Sequence, residues 1–108
     1  MLFLGCSSDL ADISNEIWKC DNNKKIQNSC LVSFNITNNS HLPIKSIIRI
    51  RAHNRKSVMG SDAVQNIVVG DKILELILNP EQSRKIEENI EAKGRVTSII
   101  VTSTSNEQ

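Results

Sequence analysis

The chain has no tyrosine, two phenylalanines and a single tryptophan among 108 residues. Phe3, Phe34 and Trp18 are too few to form the aromatic platform on which single-stranded bases, or sugars, would stack. Basic and acidic residues nearly cancel, 13 against 12, and the formal charge of +1 gives no bulk field to recruit nucleic acid or an anionic surface. The four glycines (Gly5, Gly60, Gly70 and Gly94) lie far apart and make no phosphate-cradling loop. There is no Gly-Xaa-Ser-Xaa-Gly elbow. His41 and His53 are isolated, which leaves little material for a nucleophile–base–acid triad. They also lack the paired spacing that a zinc site needs. Glu87, Glu88 and Glu91 cluster without the alternating ligands of a calcium loop and read as a solvated face. No apolar run approaches the ~20 residues that span a bilayer. These absences predict a chain with no catalytic residue, no metal and no cofactor: not an enzyme.

What is present is a single domain with a period of two. Cys30, Val32, Phe34 and Ile36 alternate with Leu31, Ser33, Asn35 and Thr37, the pattern of a half-buried strand. Asn38-Asn39-Ser40-His41 follows as a turn, closed by Pro43. Ile44, Ser46, Ile48, Ile50 and Ala52 mark one face of a long strand whose other face carries Ile47, Arg49, Arg51 and His53. Polar turns are expected at Asn54–Ser57 and Gly60–Asp62. Two short β-prone runs, 64–69 and 73–78, are separated by Gly70-Asp71, which reads as a hairpin turn. Arg84 to Ala92 has a composition that also suits a helix, with Ile86 and Ile90 four apart. Its neighbours, all strands, and the closing Gly94, read as another hairpin turn, decide for strand. Val96 to Thr104 is dense in β-branched residues and forms the last strand. About seven short strands with regular turn signals predict an all-β fold, an antiparallel immunoglobulin-like β-sandwich. Its core is expected at Val32, Phe34, Ile36, Ile48 and Ile50, with Trp18 packed beside them.

The three cysteines point to a compartment. Cys20 and Cys30 flank a polar loop, and a bridge between them would be a local staple that persists only in an oxidising environment. Pairing them leaves Cys6 over. Phe3-Leu4-Gly5-Cys6-Ser7-Ser8 resembles the end of a bacterial lipoprotein signal peptide, in which the cysteine becomes the lipid-carrying N-terminus. That resemblance implies a signal remnant at 1–5, lipidation of Cys6, a polar tether over 6–14 and the sandwich domain over 15–108. It further implies a lipid anchor on the periplasmic face of the envelope. Ser7 directly after Cys6 suits delivery to the outer membrane.

A second resemblance covers roughly Cys30 to Ser103. Phe34-Asn35-Ile36-Thr37-Asn38-Asn39-Ser40, a long strand, a polar turn with Gly60, and Leu78-Asn79-Pro80-Glu81-Gln82-Ser83 look like the small β-sandwich domains of bacterial lipoproteins, the FxLYD-type group among them. There an Asn-Xaa-Ser turn follows the first core strand and a Leu-Xaa-Pro-Gly turn precedes a late one. The resemblance implies a fold and a surface location, and carries no catalytic residues. Asn35-Ile36-Thr37 and Asn38-Asn39-Ser40 also fit the glycosylation acceptor pattern, which has no meaning in a bacterial source.

One surface feature invites a partner. Arg49, Arg51 and His53 alternate on one strand and lead into Arg55 and Lys56. Such a stripe is either solvated charge that guards a sheet against edge pairing or a docking patch for an acidic partner: a protein, lipopolysaccharide phosphates or a lipid head group. Arginine suits the second use, because its planar fork grips carboxylates and phosphates bidentately. The expected function is a non-enzymatic envelope lipoprotein that docks or assembles machinery of the secretion or pilus type, through an acidic protein partner. The alternative is an inhibitor or immunity-type binder that presents the Cys20–Cys30 loop with Lys24 and Lys25. Nucleic acid is not an expected partner.

Overall fold

The computed structural model describes residues 10–21, 27–57, 60 and 64–107. Cys6 and the expected signal remnant, Lys24 and Lys25, and most of the Gly60–Asp62 turn lie outside the described residues. Six strands account for most of the rest: β1 (Ala11–Cys20), β2 (Asn28–Asn38), β3 (Ile44–Ser57), β4 (Val64–Leu78), β5 (Ser83–Ala92) and β6 (Ser98–Glu107). They form two three-stranded antiparallel sheets, ordered β1-β2-β5 and β4-β3-β6. The fold is all-β, and Arg84 to Ala92 is strand.

The core follows the period-two reading of β2 and β3. Val32, Phe34, Ile36, Ile48 and Ile50 are all buried between the sheets, joined by Ile44, Ala52, Leu78 and Ile90. Ser46 shares that inner face, and its hydroxyl is satisfied by Ser105 Oγ at 2.6 Å. Cys20 and Cys30 stand directly opposite each other in the β1–β2 ladder, Cα atoms 4.0 Å apart, and are joined by a disulfide. Cys30 is buried, so the staple reaches from the rim into the core.

Asn54–Ser57 is not a turn but the end of β3, paired with Ile67 to Val64 of β4, and four further expectations change. β1 begins at Ala11, so the last residues of the expected tether are paired with β2: Ala11 with Asn38 and Ile13 with Ile36. Trp18 lies opposite Val32 but is 39% exposed, because β1 is an edge strand with no strand paired to its outer side among the described residues. Gly94 is not a hairpin turn: it joins β5 to β6, which belong to different sheets. The fourth change concerns Gly70-Asp71, where β4 runs straight through the expected turn. Ala52 pairs with Gly70 and His53 with Val68, so Val69 is an extra residue, a β-bulge. A Cβ at Gly70 would sit 2.6 Å from the Glu91 carbonyl oxygen, while Lys93 N–H donates to Val69 O at 2.8 Å. The glycine is there because the backbone of the other sheet comes too close for a side chain.

Two polar devices fix one end of the sandwich. Asn38 is fully buried, and its Nδ2 donates to the carbonyls of Leu42, Leu78 and Asn79 at 2.9, 3.2 and 2.9 Å. Its Oδ1 accepts from Ser40 N–H at 2.8 Å. One side chain therefore ties β2 to the entrance of β3 and the exit of β4, and its amide is inaccessible to modification in the folded chain. In the next turn Gln82 N–H donates to Asn79 O at 3.0 Å across Pro80 and Glu81, with Glu81 at φ 59°. Pro at the second position and a positive φ at the third describe a type II turn, whose third position favours glycine.

Candidate functional site

The outward face of the β4-β3-β6 sheet follows from the same alternation that builds the core. Residues that flank Ile44, Ser46, Ile48, Ile50 and Ala52 in β3 must point away from it: Lys45, Ile47, Arg49, Arg51 and His53. The register brings Ile77 beside Lys45, Glu75 beside Ile47, Ile73 beside Arg49 and Asp71 beside Arg51 on the β4 side. On the β6 side, Thr102 stands beside Arg49, Ile100 beside Arg51 and Ser98 beside His53.

Two diagonal ion pairs cross this face. Lys45 Nζ lies 2.7 Å from Glu75 Oε1. The Arg49 guanidinium forks onto Asp71, with Nε 3.1 Å from Oδ1 and Nη2 2.6 Å from Oδ2. These hydrogen bonds hold the Asp71 carboxyl below the usual carboxylate range, with a smaller coulombic pull from Arg49 and from Arg51, and they raise Arg49 in turn. Ile47 (38% exposed) and Ile73 (58%) stand between the pairs, Ile77 (58%) lies beyond Glu75 beside Lys45, and Ile100 (52%) lies on the β6 side beside Arg51. Isolated exposed isoleucines are ordinary, but here four share one sheet face with its charges, and Ile47 is diagonal to both Ile73 and Ile77.

The basic residues therefore divide. Arg49, Arg51 and His53 do share this face, yet Arg49 is committed to Asp71 within the chain. Arg51 sits next to Ile100, and Arg55 and Lys56 are exposed beyond it. Thr97 holds that end in place: Arg55 N–H donates to Thr97 Oγ1 at 2.9 Å, and Thr97 N–H donates to His53 O at 2.8 Å. Arg55, Asn66, Thr97 and Ser98 line an open depression there. His53 Nδ1 is buried and has no hydrogen-bond partner among the described residues. Among the described residues, no cluster of three or more His, Cys, Asp or Glu side chains is placed to hold a metal ion.

Sequence reasoning missed the apolar half of this face. The available signal was Ile73 and Ile77, four apart in one β-prone run and therefore on one side of it. The assumed turn at Gly70-Asp71 concealed which side that was.

Comparison with known proteins gives no matching family model, no matching curated protein and no matching solved structure.

Proposed function

We propose that the protein is a non-enzymatic docking module of a bacterial envelope, held on the periplasmic side by a lipid on Cys6 and engaging an acidic protein partner. One observation carries the docking half: the outer face of the β4-β3-β6 sheet exposes Ile47, Ile73, Ile77 and Ile100 together with Arg51 and Arg55, and the exposed Lys56 lies at the same end of β3. Apolar area supplies the driving force of such a contact, and the basic rim selects and orients an acidic surface. The disulfide supports the exported location, since such bridges persist outside reducing compartments.

We also read the sandwich as immunoglobulin-like. The orders β1-β2-β5 and β4-β3-β6 correspond to strands A-B-E and C′-C-F of that fold. The turn at Asn79–Gln82 supports the lipoprotein-domain resemblance, because Glu81 adopts the conformation that glycine supplies in Leu-Xaa-Pro-Gly.

Capture from envelope extract, with wild-type protein and an Arg51→Glu/Arg55→Glu variant side by side, tests this reading. A specific envelope protein retained by the first and lost by the second is the expected result. Equal capture by both, or none by either, would contradict it.

A further inference from the structure

Beyond His53 the β4-β3-β6 sheet narrows. β6 begins at Ser98, opposite His53, while β3 runs on to Ser57 paired with β4 alone. The step where β6 starts holds the depression lined by Arg55, Asn66, Thr97 and Ser98, with a volume of about 520 Å³, in the range of ligand clefts. Arg55 and Asn66 are direct partners in the β3–β4 ladder, so both project from the same face. Ser98 comes from β6, and all three strands of the sheet therefore contribute.

Thr97 is taken up by the frame. Its Oγ1 accepts from Arg55 N–H at 2.9 Å and donates to His53 O at 3.2 Å, which fixes the backbone from which the Arg55 side chain departs. The other three side chains keep their donors available: among the described residues, no hydrogen bond or ion pair engages the Arg55 guanidinium, the Asn66 amide or the Ser98 hydroxyl. Arg49, forked onto Asp71, is the contrast on the same strand. Among the described residues that line the depression, none is acidic and none is apolar.

We propose that this depression is a carboxylate subsite, in which Arg55 forks onto one Asp or Glu side chain of the acidic partner while Asn66 Nδ2 and Ser98 Oγ donate to its oxygens. This rests on the docking reading above and names the residues that select the ligand. Charge and donor count decide for a carboxylate. Its two oxygens accept about four hydrogen bonds, which a guanidinium fork, one amide and one hydroxyl supply, and its single negative charge meets a single positive one. A phosphate monoester carries about −1.5 to −2 and would keep part of that charge unmatched here.

NMR titration of the full chain at low ionic strength tests this, with a capped hexaglutamate peptide as one probe and inorganic phosphate as the other. The peptide should shift the Arg55 Nε–H and Asn66 Nδ2 signals saturably, and phosphate at equal concentration should shift them less. Arg55→Lys keeps the charge but not the fork, and Asn66→Ala changes no charge; each should weaken peptide binding about 5-fold at an unchanged melting temperature. Lys85→Gln removes one positive charge from the outer face of the other sheet, opposite Asn35, and should leave the affinity as it is. Equal weakening by Lys85→Gln would show that bulk charge binds the peptide, and tighter binding of phosphate would show a phosphate site. Either result overturns the proposal, as does an Asn66 signal that the peptide does not move. The docking reading fails separately. An envelope partner captured equally by Asn66→Ala and wild type, yet lost with Arg51→Glu/Arg55→Glu, would leave that reading standing and remove the subsite.

Discussion

Arg49 and Asp71 face each other diagonally across β3 and β4, joined by a forked contact whose shortest bond is 2.6 Å. The pair commits one member of a row of basic residues to a partner within the chain, so the row is not a uniform run of free charge. The Asp71 carboxyl should titrate below an ordinary aspartate because it accepts from the guanidinium. Its contribution to stability is therefore present above the unfolded aspartate pKa, near 4, and is lost as the pH falls through the lower folded value. Carboxyl titration by NMR checks this, with Arg49→Gln as the partner experiment. Asp71 should return upward in that variant. An Asp71 that titrates normally in the wild type would mean that the pair does not form in solution.

Asn38 gathers three backbone carbonyls from two other segments into the closed end of the sandwich. Asn38→Ala leaves those carbonyls without their donor and should cost about 1–3 kcal/mol. Asn38→Asp keeps the shape but removes the donating amide, so it should be at least as damaging at neutral pH. Chemical denaturation of both variants gives the numbers. A loss below about 0.5 kcal/mol in Asn38→Ala would show that water replaces the amide and that the end is open.

Gly70→Ala puts a methyl group 2.6 Å from a backbone oxygen of the opposite sheet, where no flexible side chain can yield. The sheets must part locally, at a cost of about 1–3 kcal/mol. Gly60→Ala is the comparison: nothing lies within 4 Å of its Cβ, and the cost there comes from its φ of +79° alone. Thermal melts should show Gly70→Ala losing structure around Ala52 and Ala92, visible as faster amide exchange there. Unchanged exchange at those residues would remove close approach as the reason for the glycine.

The parts of the fold legible from sequence were those governed by one rule at a time. In β2 and β3 a buried face alternates with a solvent face, so Phe34, Ile36, Ile48 and Ile50 could be placed without knowing what covers them. Gly70 was misread because glycine answers to two demands, a turn and a close approach, and Gly94 because its connection, at φ 119°, links the two sheets rather than two paired strands. Only the position of the second sheet tells these apart. Trp18 was expected beside the core, but β1 lies at an edge where its inward side is only half covered. The candidate site was half legible for a similar reason. Alternation placed Arg49, Arg51 and His53 on one face, whereas the partner that commits Arg49 is distant in sequence and becomes its neighbour only through the β3–β4 register.

The central claim is that the outer face of the β4-β3-β6 sheet docks an acidic protein through its apolar patch and the basic end at Arg51 and Arg55. The most direct measurement is the affinity for the captured envelope partner as a function of salt, for wild type and for Arg51→Glu/Arg55→Glu. Both residues are solvent-accessible and neither builds the core, so the variant should melt like the wild type. Wild-type binding should weaken steadily with ionic strength, and the variant should bind at least ~10-fold more weakly and with a flatter salt dependence. A variant that melts normally, binds as tightly as wild type and shows the same salt dependence would contradict the claim and leave these arginines as a solvated face.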